Sequence, residues 1–416
     1  MALRLNSLCL RLREAGRYLI LCPVNIAILG RQPKLSLAEL EARFGAEKIT
    51  PIGNYAALVE SEDTLPQSTL GGTMKSARLL TRLENTDLSD AFEYLAQTIP
   101  EHLNDLPEGK LQFGISIYGA KAQRNWLLKQ MLTLKKIIKK SGRSVRIIEN
   151  KSEALETAQV LYNKLTGPLG WELLLIADGA DILLAQTTAV QDIDSYTARD
   201  FERPKRDAYV GMLPPKLAQI MINLATPVSA STNTVLDPFC GTGVVLQEAL
   251  LMGYDAYGSD ISKRMIEYSA ANLDWLETTF ETHGKKYTLE QGDATTHQWK
   301  IPSDHTVAVV CETYLGTPLT SLPDRSQLNK IMDEANEIAQ GFLKNIATQL
   351  PKGTRLCIGL PAWHLGNSKF NHLKVLDQIQ NLGYNRLEFA HAQQSELIYH
   401  RPDQVVAREL IILEKK

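Results

Sequence analysis

The sequence contains little cysteine, and what it has is dispersed along 416 residues. The cysteines are Cys9, Cys22, Cys240, Cys311 and Cys357. They form no CxxC pair and no Cys/His cluster, which predicts a reducing compartment, taken here as the cytoplasm, and no structural metal site. His364 and His391 also lack partners at ligand spacing, so we expect no metal in this protein.

The sequence also lacks a long apolar run. No stretch reaches the roughly 20 apolar residues that a membrane-spanning helix needs, so we expect no membrane partner. The apolar run at 18–29 follows an arginine-rich stretch, as in a signal peptide, but Pro23 and Asn25 interrupt it and no small-residue cleavage site follows. We predict that the chain is not exported.

An overall basic excess is absent too. The chain has 45 Lys and Arg against 47 Asp and Glu, a balance that does not indicate a nucleic-acid-binding protein. Residues 121–146 nevertheless contain nine Lys or Arg and no acidic residue. A helix is predicted at about 125–140, and such a cationic face binds RNA phosphates or is merely solvated. The candidate RNA-binding residues are Lys129, Lys135, Lys136, Lys139, Lys140 and Arg143, and a possible extension of this track consists of Arg199, Arg203, Lys205 and Arg206.

The succession of predicted elements changes along the chain, which is long enough for two or three domains. Two small α+β domains are predicted at 17–70 and 71–191, followed by a polar linker at 192–206. From 207 to 416 strands and helices alternate as βαβ units, which predicts a Rossmann-like, doubly wound α/β sheet. Its ligand is expected beyond the carboxyl ends of the strands.

The strongest motif is VLDPFCGTG at 235–243, where an apolar strand enters a glycine-rich turn. Gly241 and Gly243 would let the backbone approach a ligand closely, because a Cβ there would collide with it. Leu246 replaces the third glycine of the dinucleotide fingerprint, so a ligand without a pyrophosphate is favoured. Cys240 is interpreted as a small buried side chain, and a turn without any ligand remains the plain alternative.

Acidic residues follow the next two predicted strands. Asp260 ends the second strand, where a carboxylate binds ribose hydroxyls or caps the following helix. Asp293 follows the third strand and is placed to bind the exocyclic amine of adenine. With Asp237 and Phe239 in the glycine-rich turn, these strand ends predict a nucleoside site, for which a nicotinamide dinucleotide is the competing ligand.

The motifs of this chain resemble those of the THUMP-domain tRNA guanine-N2 methyltransferase family, over nearly the whole sequence. The likeness rests on residues 237–243, Asp260, GDA at 292–294, MLPPKLAQ at 212–219 and YHRPDQV at 399–405. The resemblance implies a ferredoxin-like domain and a THUMP RNA-binding domain before a methyltransferase domain. It also implies S-adenosylmethionine as cofactor, with Pro214 beside its methionine end. tRNA is the implied partner, and a small activating subunit is a further candidate.

One motif departs from the family pattern. Related amino-methyltransferases carry Asp or Asn, two prolines and an aromatic residue after the fourth strand, whereas this chain has ETYLG at 312–316. The resemblance implies that Glu312 accepts a hydrogen bond from the guanine N2 amine and that Tyr314 packs against the base. The extra methylene of Glu312 moves the acceptor by about a bond length, and such misplacement can slow a reaction about 100-fold. Two interpretations stay open: a variant site that methylates an amine, and a noncatalytic RNA-binding protein with a vestigial cofactor pocket.

Overall fold

The computed structural model describes residues 24–207, 213–228, 232–301, 306–366, 369–401 and 404–416, with the backbone of two short strands before residue 24. These residues form two compact units. The first reaches up to Pro33 and continues with Glu47–Ser68 and Thr73–Ile193. The second comprises Lys34–Ala46, Thr69–Gly72 and Asp194–Lys416.

The first unit is built on an eight-stranded sheet. Its strands are β3 (Val24–Leu29), β4 (Ile49–Ile52), β5 (Ala56–Glu60), β6 (Thr73–Leu83), β7 (Leu111–Tyr118), β8 (Val145–Ile147), β9 (Gly170–Asp178) and β10 (Asp181–Val190), after a short hairpin of β1 (Arg13–Glu14) and β2 (Arg17–Tyr18). The order is β4-β5-β3-β6-β10-β9-β7-β8, antiparallel except that β7 runs parallel to β8 and β9. Helix α1 (Pro33–Phe44) falls almost wholly in the second unit, and the helices of the first unit are α2 (Leu88–His102), α3 (Arg124–Lys140) and α4 (Thr157–Tyr162).

This single sheet crosses the domain boundary predicted at residue 70. Strand β6 pairs with β3 on one side and with β10 on the other, so both predicted N-terminal domains contribute to the same sheet. Phe92 of α2 and Met131 of α3 share an apolar cluster with Ile115 of β7, which fixes both helices on the sheet. The ferredoxin-like and THUMP assignments stay predictions.

The second unit contains the predicted Rossmann-like sheet. Its strands are β11 (Thr234–Asp237), β12 (Asp255–Asp260), β13 (Tyr287–Gln291), β14 (Val307–Glu312), β15 (Arg355–His364), β16 (Phe370–Asn371), β17 (Tyr384–Arg386), β18 (Ile398–Tyr399) and β19 (Val406–Lys415). Its helices are α5 (Ile193–Thr197), α6 (Pro215–Ala225), α7 (Val244–Leu251), α8 (Lys263–Thr279) and α9 (Arg325–Ala347). The main order is β13-β12-β11-β14-β15-β19-β17, in which β11 to β15 are parallel and β19 is antiparallel to its neighbours.

The strand order reverses direction beside β11. From β11 the chain proceeds outward through β12 and β13, then returns to β14 on the other side of β11. In doubly wound sheets the crevice at such a point, beyond the carboxyl ends of the strands, is where ligands bind. The topology therefore places a binding site at the ends of β11, β12 and β14.

Helix α1 is part of the core of the second unit. Leu35 of α1 belongs to the same buried apolar cluster as Leu217 of α6. Glu39 is fully buried, and its carboxylate accepts hydrogen bonds from Gly71 N at 2.9 Å, Gly72 N at 2.8 Å and Asn223 Nδ2 at 2.7 Å. Burial raises the pKa of Glu39 to about 7, against the opposing effect of these donors.

The segment predicted as a linker, 192–206, is folded. It contains α5 and a π-helical turn at Ala198–Glu202. Arg199 donates from Nε to Glu248 Oε1 at 2.6 Å, and both side chains are buried. The charged residues that suggest a solvated linker in the sequence thus include Arg199, which forms a buried ion pair with Glu248 of α7.

Candidate functional site

A cavity of about 830 Å³ lies at the carboxyl ends of β11, β12 and β14. Residues that line it include Asp237, Phe239, Cys240, Gly241, Asp260, Ile261, Arg264, Asp293, Glu312, Tyr314 and Gly316. The structure therefore brings together most of the site residues predicted from four separate strand ends. Its size falls within the roughly 300–1,000 Å³ of small-molecule pockets.

Asp237 is the last residue of β11, at the start of the glycine-rich turn. Its side chain is almost fully buried, and Oδ1 accepts a hydrogen bond from Phe239 N at 3.0 Å. Burial raises the pKa of Asp237 well above its ordinary value, and the nearby carboxylates of Asp260 and Glu312 raise it further. This concentration of acidic groups favours a ligand that carries positive charge at this point.

Asp260 is oriented by two backbone donors. Gly241 N donates to Oδ2 at 3.0 Å and Ser262 N donates to Oδ1 at 2.8 Å. Ser262 is the N-cap of α8, so Asp260 fixes the residue that begins the helix without itself capping it, and Asp260 also lines the cavity. Burial raises the pKa of Asp260, while these two donors oppose that increase.

The two glycines of the turn have different functions, which corrects the sequence interpretation. A Cβ on Gly241 would meet only Phe239 O, at 4.0 Å, so this position faces open space beside the cavity. A Cβ on Gly243 would lie 3.0 Å from Ser269 Oγ of α8, and Gly243 does not line the cavity. Gly243, with φ of 85°, serves the turn into α7 and its packing against α8, and the close approach of a ligand concerns Gly241.

Asp293 is exposed at the third strand end. Its Oδ1 accepts hydrogen bonds from Thr295 N at 2.8 Å and Thr295 Oγ1 at 2.7 Å, which fix the side chain at the rim of the cavity. Asp293 Oδ2 makes no hydrogen bond with the described part of the protein.

Glu312 ends β14 and is held by an arginine that the sequence analysis did not single out. Arg408 of β19 donates from Nε to Glu312 Oε1 at 2.6 Å, with the two side chains 6% and 13% exposed. Burial raises the pKa of the Glu312 carboxyl, and the positive charge of Arg408 opposes that increase. A partial sequence signal exists, since the closing motif that carries the family resemblance ends three residues before Arg408.

Tyr314 lies in the loop that follows Glu312. Its ring lines the cavity and packs against the apolar cluster around Phe342 of α9. Phe239 contacts Phe342 edge-to-face, with ring centroids 5.1 Å apart. Two aromatic residues, Phe239 and Tyr314, thus line the cavity.

Several lining residues escape motif-based analysis. Arg264 of α8 donates to Asp207 Oδ2 at 2.8 Å, and both residues line the cavity. Glu337 and Gly341 of α9 also line the cavity. The motifs at strand ends give no signal for positions on the flanking helices, which the fold alone brings to the cavity.

The remaining cofactor candidate, Pro214, lies elsewhere. It is the N-cap of α6 and does not line the cavity, whereas its neighbour Leu213 does. Residues 208–212, just upstream, lie outside the described residues, as do Pro402 and Asp403 of the closing motif.

Cys240 and the two histidines occupy plain structural positions. Burial raises the pKa of the Cys240 thiol well above its ordinary value, so the thiolate needed for a nucleophile is disfavoured. His391 Nε2 lies 3.0 Å from Ala46 O, and the His364 ring stacks on His400 with centroids 4.5 Å apart. Among the described residues, no group of three or more His, Cys, Asp or Glu side chains could hold a metal ion.

The basic helix α3 lies in the first unit. Leu127, Met131, Leu134 and Ile138 form its buried side. Of the predicted RNA-binding residues, Lys129, Lys136, Lys139 and Lys140 are exposed and Lys135 is half-buried. Arg143 differs, because its guanidinium donates to four backbone carbonyls, those of Leu103, Leu106, Pro107 and Gly109.

Half of the predicted extension of this track is buried. Arg199 and Arg203 are buried, so their charges are not available to a phosphate backbone, whereas Lys205 and Arg206 are exposed. Across the described ranges, no helix has the length and apolar character needed to cross a bilayer.

Comparison with known proteins supports a methyltransferase domain. A family model described as "RMKL-like, methyltransferase domain" matches residues 203–343, and one described as "DNA methylase" matches residues 117–271. TrmN from Thermus thermophilus has a similar structure, with a TM-score of 0.50 and 16% identity over 95% of this chain and all of that one. This likeness shows a shared fold.

Two archaeal proteins are similar in sequence. The tRNA (guanine(10)-N2)-dimethyltransferase of Pyrococcus abyssi is 36% identical over 132 residues, which are 32% of this chain and 35% of that protein. Its namesake from Methanothermobacter thermautotrophicus is 31% identical over 164 residues, 39% of this chain and 42% of that protein. The chain thus aligns with less than half of the length of each relative. These comparisons confirm the predicted resemblance: the chain has a Rossmann-like methyltransferase fold and is similar to tRNA guanine-N2 methyltransferases.

Proposed function

We propose that this protein transfers a methyl group from S-adenosylmethionine to the exocyclic N2 amine of a guanine in tRNA. The observation that carries the proposal is the cavity where Asp237, Gly241, Asp260 and Glu312 meet at the reversal of the sheet. The match to a methyltransferase domain supports the reaction class, and the names of the two archaeal relatives support the tRNA guanine.

The residues of the cavity fit this cofactor. The Asp260 carboxylate, already oriented by two backbone donors, would accept hydrogen bonds from the ribose hydroxyls. Asp293 would accept one from the adenine amine through Oδ2, and Ile261, 67% exposed, offers an apolar surface beside the base. The open space at Gly241 admits the ligand close to the backbone, and the acidic wall at Asp237 suits its positive charges.

The acceptor side of the site would orient the guanine. When bound, the cofactor supplies an electrophilic methyl group on a sulfonium. Glu312 accepts a hydrogen bond from the N2 amine, which otherwise keeps its lone pair delocalised into the ring, and directs that lone pair toward the methyl group. Tyr314 packs against the base, which must be turned out of its stack to reach the cavity.

The exposed lysines of α3 would bind the tRNA backbone. Phosphate contacts position an RNA without reading its sequence, so this face sets which nucleotide reaches the site. The cytoplasm is the proposed compartment, since scattered cysteines are typical of a reducing environment. A small activating subunit stays a candidate partner.

The direct test is methyl transfer. Purified protein is incubated with methyl-labelled S-adenosylmethionine and total tRNA, and in parallel with DNA, and the nucleosides are separated after digestion. We expect label in N2-methylated guanosine. The Glu312→Gln variant, which keeps the side-chain volume and loses the carboxylate, should be slower by about 100-fold.

Two other results would contradict the proposal. Cofactor binding without transfer to either nucleic acid would indicate a noncatalytic RNA-binding protein. Label in a DNA base with none in tRNA would instead favour the activity named by the second family model.

A further inference from the structure

The chemistry of Glu312 depends on its ionisation. A carboxylate, unlike a protonated carboxyl, can also take up the proton that the N2 amine loses on methylation. Yet Glu312 lies in a buried position, which raises the pKa of its carboxyl. Without a compensating positive charge, that pKa would be raised further, in favour of the protonated carboxyl.

Arg408 supplies that charge across an intervening strand. Glu312 of β14 is opposite Gly359 of β15, and Arg408 of β19 is opposite Pro361. Because side chains alternate along a strand, Glu312, Gly359 and Arg408 share the face that also carries Cys357 and Leu410. Gly359 itself contributes no side chain between the strands of the acid and the arginine.

The atoms packed around Gly359 leave room for a Cβ at this position. A Cβ there would lie 3.6 Å from Met221 Cε, 3.7 Å from Leu410 Cδ2 and 3.8 Å from Cys311 O, all ordinary contacts. Its φ is not in the left-handed region either. A larger side chain at this position would project from the face that carries Glu312 and Arg408, between their two strands.

The pairing of Arg408 is selective. Within the described residues, its other side-chain hydrogen bond is to Gln404 Oε1, at 3.3 Å, and Glu312 is its one acidic partner. The adjacent Glu409 faces the opposite side of the sheet, where it pairs with His372 at 2.6 Å and with Arg386 at 3.7 Å. The charge of Arg408 is therefore directed at Glu312.

The geometry also leaves part of Glu312 free. Arg408 Nε engages Oε1, and no second hydrogen bond to the Glu312 carboxylate is found among the described residues. Oε2 is therefore available on a residue that lines the cavity. A bidentate arginine contact would have occupied both oxygens.

We infer that Arg408 is a positioning residue, which keeps Glu312 ionised and presents its second oxygen to the amine of the substrate. The inference rests on the proposed function, because that function makes Glu312 the acceptor. In the transfer, the N2 lone pair forms the N–C bond while the C–S electron pair returns to sulfur. One N2 proton leaves to the Glu312 carboxylate and then to solvent, so charge and atoms balance.

The test is the pH profile of methyl transfer. Activity should fall as the pH falls through the pKa of Glu312. In Arg408→Met this acid limb should move to higher pH by about 1 to 3 pH units, because the neighbouring positive charge is lost. Arg408→Lys, which keeps a charge but not the planar guanidinium, should return most of the limb toward its original position.

A double variant separates positioning from a merely structural effect. Glu312→Gln should remove the acid limb, and adding Arg408→Met to Glu312→Gln should then leave the profile unchanged in shape. An Arg408→Met protein that is slower by the same factor at every pH, with its acid limb unmoved, would overturn the inference. Arg408→Lys guards against loss of folding in the methionine variant.

A second readout does not depend on activity. Carbon-13 NMR of glutamate-labelled protein follows the titration of the Glu312 carboxyl, assigned by its absence in Glu312→Gln. A higher midpoint in Arg408→Met supports the inference even if no nucleic acid is methylated, a result that would reject the proposed function alone. An unchanged midpoint overturns the inference whatever the activity.

Discussion

The replacement Asp260→Ala gives the sharpest test of the cofactor site. In the structure both oxygens of Asp260 already accept backbone hydrogen bonds, from Gly241 N and Ser262 N, so the carboxylate is preset before any ligand arrives. Each ribose hydroxyl would add a hydrogen bond to this charged group, contributing about 1.5–3 kcal/mol. Two such bonds correspond to about 3–6 kcal/mol, or a loss of affinity of about 100- to 10,000-fold.

Isothermal titration with S-adenosylhomocysteine measures this loss without turnover. Asp255→Ala is the matched control, because Asp255 lies at the other end of β12 and its Oδ1 accepts a comparable hydrogen bond from Lys286 N at 2.9 Å. We expect the control to bind as the unaltered protein does. tRNA affinity should be unchanged in both variants, since the predicted RNA contacts lie on α3.

Two results would refute the reasoning. If Asp260→Ala bound S-adenosylhomocysteine normally, the carboxylate would have only its local function in the turn. If Asp255→Ala lost as much affinity, the effect would come from damage to β12, and thermal unfolding of both variants would then show an equal loss of stability.

Two further predictions concern other parts of the molecule. Replacing four basic residues of α3 by Glu should weaken tRNA binding and reduce its dependence on salt concentration. The residues to replace are Lys135, Lys136, Lys139 and Lys140. Filter binding at several salt concentrations measures this, and an unchanged slope of affinity against salt would mean that this face is only solvated. The pKa of the Glu39 carboxyl is raised from 4.5 to about 7, so Glu39 binds its proton more tightly in the folded protein than in the unfolded chain. The contribution of this proton to stability is therefore present below about pH 4.5 and is lost as the pH rises to about 7. Urea unfolding should show this decrease, on the order of 3 kcal/mol, and Glu39→Gln should flatten it; equal pH dependence in both proteins would contradict the assignment.

Most of the residues that line the cavity could be predicted from sequence because the motifs that contain them are local. Each predicted ligand, such as Asp237 or Asp260, directly follows an apolar strand, and parallel strands bring their carboxyl ends to one edge of the sheet. The missing third glycine correctly turned attention away from dinucleotides, since the comparisons support a methyltransferase. The difference between Gly241 and Gly243 could not be predicted, because it depends on the packing of α8.

Long-range pairing explains the remaining differences. Arg408 lies 96 residues from Glu312 in the chain, and no spacing rule connects them. Arg143 and Arg199 look like RNA ligands in a basic stretch, but the fold uses one to cap backbone carbonyls and buries the other against Glu248. Composition records the charge of a side chain, and only the tertiary structure shows what neutralises it.

The membership of α1 in the second unit has a consequence for how the protein is made. Residues 34–46 leave the ribosome well before residues 194–416, with which they share a core. Because folding during synthesis proceeds from the N-terminus, α1 must wait with its apolar side uncovered while nearly 150 residues of the first unit fold. A fragment that starts at residue 207 would leave Asn223 without its Glu39 acceptor, and supplying the α1 segment separately should restore part of its stability.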